Sequence, residues 1–180
     1  MRAFVVGAAV MVVTAVAGCS SEGGSPLDTG EMVVPVYSLG IGNGSENLRT
    51  HMSGGEENPP NASEAQGQAI FRLSEDGTEL DYKLIVANIE NVLQSHIHMA
   101  PAGVNGGIVV WLYPSAPPAT LIPGRSDGIL AEGVIRDASV IGPLSGQGLA
   151  GLMAAIRAGN TYVNVHTTQF PPGEIRGQID

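Results

Sequence analysis

The chain has 180 residues, enough for one domain with a real core plus appendages, and its 25 glycines, 12 prolines and few aromatics favour short strands and turns over a helical bundle. Seventeen acidic residues against eight basic ones leave no basic patch for a phosphate backbone, which excludes nucleic acid as an expected partner. The one cysteine, Cys19, excludes an internal disulfide, so the fold must hold by packing alone.

The amino terminus carries its positive charge at Arg2, followed by an apolar run over residues 3–17 that is too short for a good spanning helix. The run stops at Val16-Ala17-Gly18-Cys19, which resembles the bacterial lipobox. That pattern predicts a lipoprotein signal peptide over residues 1–18 and lipidation of Cys19, with the acyl chains anchoring an exported protein to a membrane of the cell envelope. Residues 19–45 read as a flexible tether, within which residues 32–37 have β character limited to an edge by Pro35. Residues 46–180 are the expected folded domain.

In that domain residues 48–53 read as a short strand and residues 54–60 as a turn-rich loop. Residues 66–74 alternate, with Gly67, Ala69, Phe71 and Leu73 on one side. Asp76-Gly77 marks a hairpin, and residues 79–89 return with Leu80, Tyr82, Leu84 and Val86 in phase. The next strand carries His96 and His98, and another runs over residues 108–113. Residues 115–128 read as a loop and residues 129–136 as a strand. Leu149, Leu152, Met153 and Ile156 then fall at helical spacing over residues 148–158, with Gly159-Asn160 as the stop. Strands over residues 162–167 and 174–179 complete the set. Seven or eight short strands with one short helix predict an all-β fold, a Greek-key β-sandwich.

His96 and His98 stand at i and i+2, so an extended strand projects both imidazoles from one face. His166, on another strand, can complete a three-nitrogen face with one open position for copper or zinc. The competing reading is a structural cluster of hydrogen-bonded imidazoles. In it Asn164 shares the face of His166, and Glu174 and Arg176 pair beside it. His51 reads as an exposed strand residue, and Met99 and Trp111 as core. The chain lacks a nucleophile elbow, a P-loop, a dinucleotide fingerprint and a His-Glu-x-x-His motif, so no catalytic residues are assigned.

Several motifs in order are similar to the CHRD domain, the repeated module of chordin that also occurs alone in bacterial secreted proteins. They are Ser53-Gly54-Gly55-Glu56-Glu57-Asn58-Pro59-Pro60, Asp76-Gly77-Thr78-x-Leu80-x-Tyr82, Ser95-His96-Ile97-His98, Gly103-Val104-Asn105-Gly106, Tyr162-Val163-Asn164-Val165-His166-Thr167 and Pro172-Gly173-Glu174-Ile175-Arg176-Gly177-Gln178. Asn58 stands where the family often has valine. The resemblance implies an extracytoplasmic, immunoglobulin-like or superoxide-dismutase-like β-sandwich. With the amino-terminal signal it leads to a lipid-anchored module that binds or scaffolds an extracytoplasmic protein partner without being an enzyme. The alternative expectation is a copper- or zinc-binding protein, redox-active in one version. Four histidines and no disulfide fall short of a full copper/zinc superoxide dismutase site.

Overall fold

A computed structural model describes residues 45–180. The expected signal peptide, Cys19, the edge strand at residues 32–37 and nearly all of the tether lie outside the described residues. Among the described residues no helix is long and apolar enough to cross a membrane.

The first hairpin forms as its alternation dictates. Strand β1 (Asn47–Ser53) pairs antiparallel with β2 (Gln66–Leu73), and β2 pairs with the first half of β3 (Leu80–Met99). Ala69, Phe71, Leu80 and Leu84 are fully buried, while Gln68, Ile70 and Arg72 face outward.

β3 is the organising element. Two strands read separately in the sequence are one strand of 20 residues. It bends where Asn88 and Asn91 adopt positive φ of 58° and 53°, a conformation asparagine tolerates better than most residues. The Asn91 side chain accepts the Gly124 N–H at 2.9 Å, which fixes the bend against β5 (Ile122–Ile135). β5 begins inside the expected loop and pairs with β3 through several bulges. The second half of β3 pairs with β4 (Gly107–Tyr113) on one edge and β6 (Thr161–Thr167) on the other.

β6 pairs with β7 (Ile175–Gln178), and β7 returns to β1 at Ser53 and Arg176. The path β1–β2–β3–β6–β7 therefore closes on itself. The all-β expectation with one short helix holds. The Greek-key sandwich of two facing sheets does not describe these pairings, which draw a closed five-stranded barrel with β4 and β5 paired to β3 outside the ring. Full closure removes exposed sheet edges from the ring itself.

Helix α1 (Gly148–Arg157) buries Leu149, Leu152, Met153 and Ile156, as its spacing requires. It starts at Gly148, where the Asp137 carboxylate accepts the Leu149 N–H at 2.7 Å. Gly159, at φ 70°, ends it.

All seven residues of β6 are buried, so both its faces are covered. Val163 and Val165 enter the apolar core together with Ile97 and Ile175. Tyr162, Asn164 and His166 take the opposite face, and the site is built there.

Candidate metal centre

Strand register sets the site. His96 lies opposite Trp111 on β4 and Asn164 on β6; His98 lies opposite Tyr162; Asn164 lies opposite Arg176 on β7. His166 pairs with Gln94, one step diagonal from His96. A residue slip in any of these ladders would send the imidazoles to the other face.

The three histidines predicted from the sequence come together. One ring nitrogen from each lies within 4.8 Å of the other two, and all three residues are buried. His96 Nδ1 stands 3.2 Å from His166 Nε2. Nitrogens bound about 2.0–2.1 Å from a tetrahedral ion are about 3.3 Å apart, so this spacing suits two ligands of one metal. His51 is exposed on β1 and takes no part.

The outer nitrogens are pinned. His98 Nδ1 lies 2.9 Å from the Gly106 carbonyl, and His166 Nδ1 lies 2.9 Å from the Pro171 carbonyl. A carbonyl only accepts, so each Nδ1 carries the proton and each Nε2 keeps its lone pair. Metal-ligating histidines are oriented this way by a second layer of acceptors. His98 Nε2, His96 Nε2 and Asn164 Oδ1 are buried with no hydrogen-bond partner.

Burial holds all three rings neutral. It pushes the pKa of His96 down to about 3, helped by the repulsion that protonated rings at His166 and His98 would exert. Burial pushes His166 down to about 4 against the opposing hydrogen bond to Pro171. It also lowers His98, against the Gly106 carbonyl and the Asn164 amide. Neutral imidazole is the form that binds metal.

Aromatic and cationic side chains wall the site. Trp111, read from the sequence as core, is only half-buried and packs edge-to-face on His96 at 4.3 Å between centroids. Tyr162 stacks on His98 at 4.9 Å, and the Arg176 guanidinium lies 3.4 Å from the Tyr162 ring centre. Arg176, 1% exposed, also donates to the Pro101 and Val104 carbonyls and to Asn105 Oδ1. Those bonds hold residues 100–106 as a roof. Asn58 braces the same roof, donating to the Gly103 carbonyl at 2.8 Å and accepting from Asn105 at 2.8 Å.

The expected Glu174–Arg176 ion pair does not form. Glu174 accepts from Ser63 Oγ and Thr167 Oγ1, both at 2.6 Å, and so fixes the turn that carries Pro171. Arg176 is committed to the roof. Its charge is felt instead by Glu57, a buried carboxyl whose pKa burial raises to about 7 while Arg176 draws it back. Glu57, Tyr162 and Trp111 were not assigned to the site from the sequence. Of these, Tyr162 was within reach of strand alternation, two residues before Asn164.

Fold and site together define an all-β domain with a buried, neutral three-imidazole cluster on the outer face of a small barrel. The CHRD domain family matches residues 48–179, and the chain belongs to that family. No curated protein and no solved structure gives a significant match.

Proposed function

We propose that this CHRD domain binds a transition metal, copper or zinc, through His96, His98 and His166. The observation that carries the proposal is the convergence of three neutral ring nitrogens within 4.8 Å of one another. Two of the rings are already fixed by backbone carbonyls in the tautomer that leaves Nε2 free. Imidazole suits zinc and copper alike. The purely structural alternative rests on the His96–His166 contact, which serves as a hydrogen bond when one of the two nitrogens carries a proton. It leaves His98 Nε2 without a role.

The test is metal analysis of protein purified without a metal-affinity column. The expected result is about one equivalent of copper or zinc. In His98→Ala the metal is lost while the far-ultraviolet circular dichroism stays that of the wild type. Metal-free wild-type protein, with His98→Ala merely less stable, would establish the structural reading instead.

The module works outside the cytoplasm in this proposal, held to a membrane of the cell envelope by lipid on Cys19, where it binds or scaffolds partners rather than catalysing a reaction. The lipobox-like Val16-Ala17-Gly18-Cys19 supports the anchor. Cys19→Ser is expected to move the protein from the membrane fraction to the soluble fraction; continued membrane retention refutes the anchor and leaves the metal proposal untouched.

A further inference from the structure

We infer that the site keeps one coordination position for a small exogenous oxygen ligand that is anionic and still carries a proton, hydroxide being the simplest, and that Asn164 holds that proton. This rests on the metal-binding reading above.

Three observations converge on it. The first is ligand number: three protein nitrogens and no carboxylate gather at the centre, and a metal held by three protein ligands characteristically takes its fourth from solvent or substrate. The second is an unanswered acceptor. Asn164 is 3% exposed, lies opposite His96 and beside His98, whose charged form it favours, and its Oδ1 meets no donor while that ring is neutral. A metal bound by the imidazoles occupies the Nε2 lone pair of His98 but gives Asn164 Oδ1 nothing. Only a ligand bearing a proton does that.

The third is charge. Three neutral imidazoles bring no negative charge to a divalent ion, and the Arg176 guanidinium, whose charge reaches His98, adds a positive one. A buried net positive centre is costly, and an anion in the open position offsets it. The way in is narrow: His96 is fully buried, whereas His98 and His166 keep 8% and 6% exposure. The ligand is therefore small.

The ligand class follows from these demands together. Hydroxide satisfies charge, size and the Asn164 acceptor. Azide satisfies charge and size but brings no proton, and it serves as a probe. The experiment loads the full chain with copper(II) and titrates azide, following the azide-to-copper charge-transfer absorption. The expected result is a saturable new band in the wild type and azide binding at least about five-fold tighter in Asn164→Ala, because there the displaced hydroxide has lost its hydrogen-bond acceptor.

A wild-type spectrum unchanged by azide means a closed position and overturns the inference. Equal azide affinity in wild type and Asn164→Ala overturns the role of Asn164. If Asn164→Ala fails to fold, proton electron–nuclear double resonance on the wild-type copper form replaces it. One strongly coupled proton, lost in deuterated water, is expected, and its absence overturns the inference. Failure to bind copper at all sinks the metal reading; copper bound but blind to azide sinks only the open position.

Discussion

Replacing Arg176 with methionine tests whether the roof over the histidines is held by one guanidinium. The side chain is 1% exposed and makes three hydrogen bonds of 2.9–3.2 Å, to Pro101 O, Val104 O and Asn105 Oδ1, besides its stacking on Tyr162. Bonds to a charged group contribute about 1.5–3 kcal/mol each, and a desolvated cation–π contact about 2 kcal/mol. Against these stands the desolvation of the guanidinium, several kcal/mol that the variant recovers. Methionine has a similar reach, so little cavity is left. The net loss is about 2–4 kcal/mol, and the melting temperature falls by roughly 8–16 °C at about 4 °C per kcal/mol for a domain of this size. Urea unfolding followed by the single tryptophan, Trp111, measures it. Hydrogen exchange at the Gly106 amide, which donates to the Tyr162 hydroxyl at 3.2 Å, reports the roof itself. A loss under about 1 kcal/mol together with wild-type protection at Gly106 would refute the reasoning.

The remaining predictions concern acid, the barrel seam and the turn beneath His166. His96 and His166 have folded pKa values of about 3 and about 4, below the ordinary imidazole value of 6.5, so unfolding takes up protons below that value and stability falls with falling pH. Each contributes a slope of about 1.4 kcal/mol per pH unit between its two values. Glu57 acts oppositely: its pKa, raised from 4.5 to about 7, gives stability that is present in acid and lost as pH rises through 7. Glu57→Gln therefore steepens the acid loss between pH 6.5 and 4.5 by up to about 1.4 kcal/mol per unit, and an unchanged slope in denaturant titrations counts against these assignments. Gly177→Ala places a methyl 2.0 Å from the His51 carbonyl on β1, a backbone atom that cannot step aside. It should cost about 1–3 kcal/mol and raise exchange at the Arg49 and Asp180 amides, which bond across the seam; a neutral result refutes the tight closure. Glu174→Gln keeps the shape of the turn but replaces a charged acceptor of two 2.6 Å hydroxyl bonds. The expected loss is about 1–2 kcal/mol by urea unfolding, and no loss refutes the assigned role.

Much of the site was legible because strand alternation is a strict rule. His96 and His98 had to share a face, and Asn164 had to share that of His166. Local signals also gave the first hairpin and α1, where burial alternates or repeats at helical spacing. What stayed hidden is non-local or polar. The sequence reads as one strand ending at residue 89 and another carrying His96, yet Asn88 and Asn91 only bend one continuous β3. The start of β5 is mostly exposed on both faces and carries no alternation to detect. Closure of the barrel rests on the β1–β7 bridge between Ser53 and Arg176 and on the paired Arg49–Asp180 backbone bonds, which no spacing announces. Trp111 meets His96 through a ladder with two register shifts, so its partner could not be counted from the sequence. Glu174 and Arg176 share a segment, but Ser63 and Thr167 capture one and the roof the other.

X-ray absorption at the metal edge of the zinc- or copper-loaded protein is the most direct measurement. Three imidazole nitrogens at about 2.0–2.1 Å are predicted, with the bound metal lost in His166→Ala as in His98→Ala. A shell of oxygens with fewer than three imidazoles in the wild type would contradict the three-histidine centre.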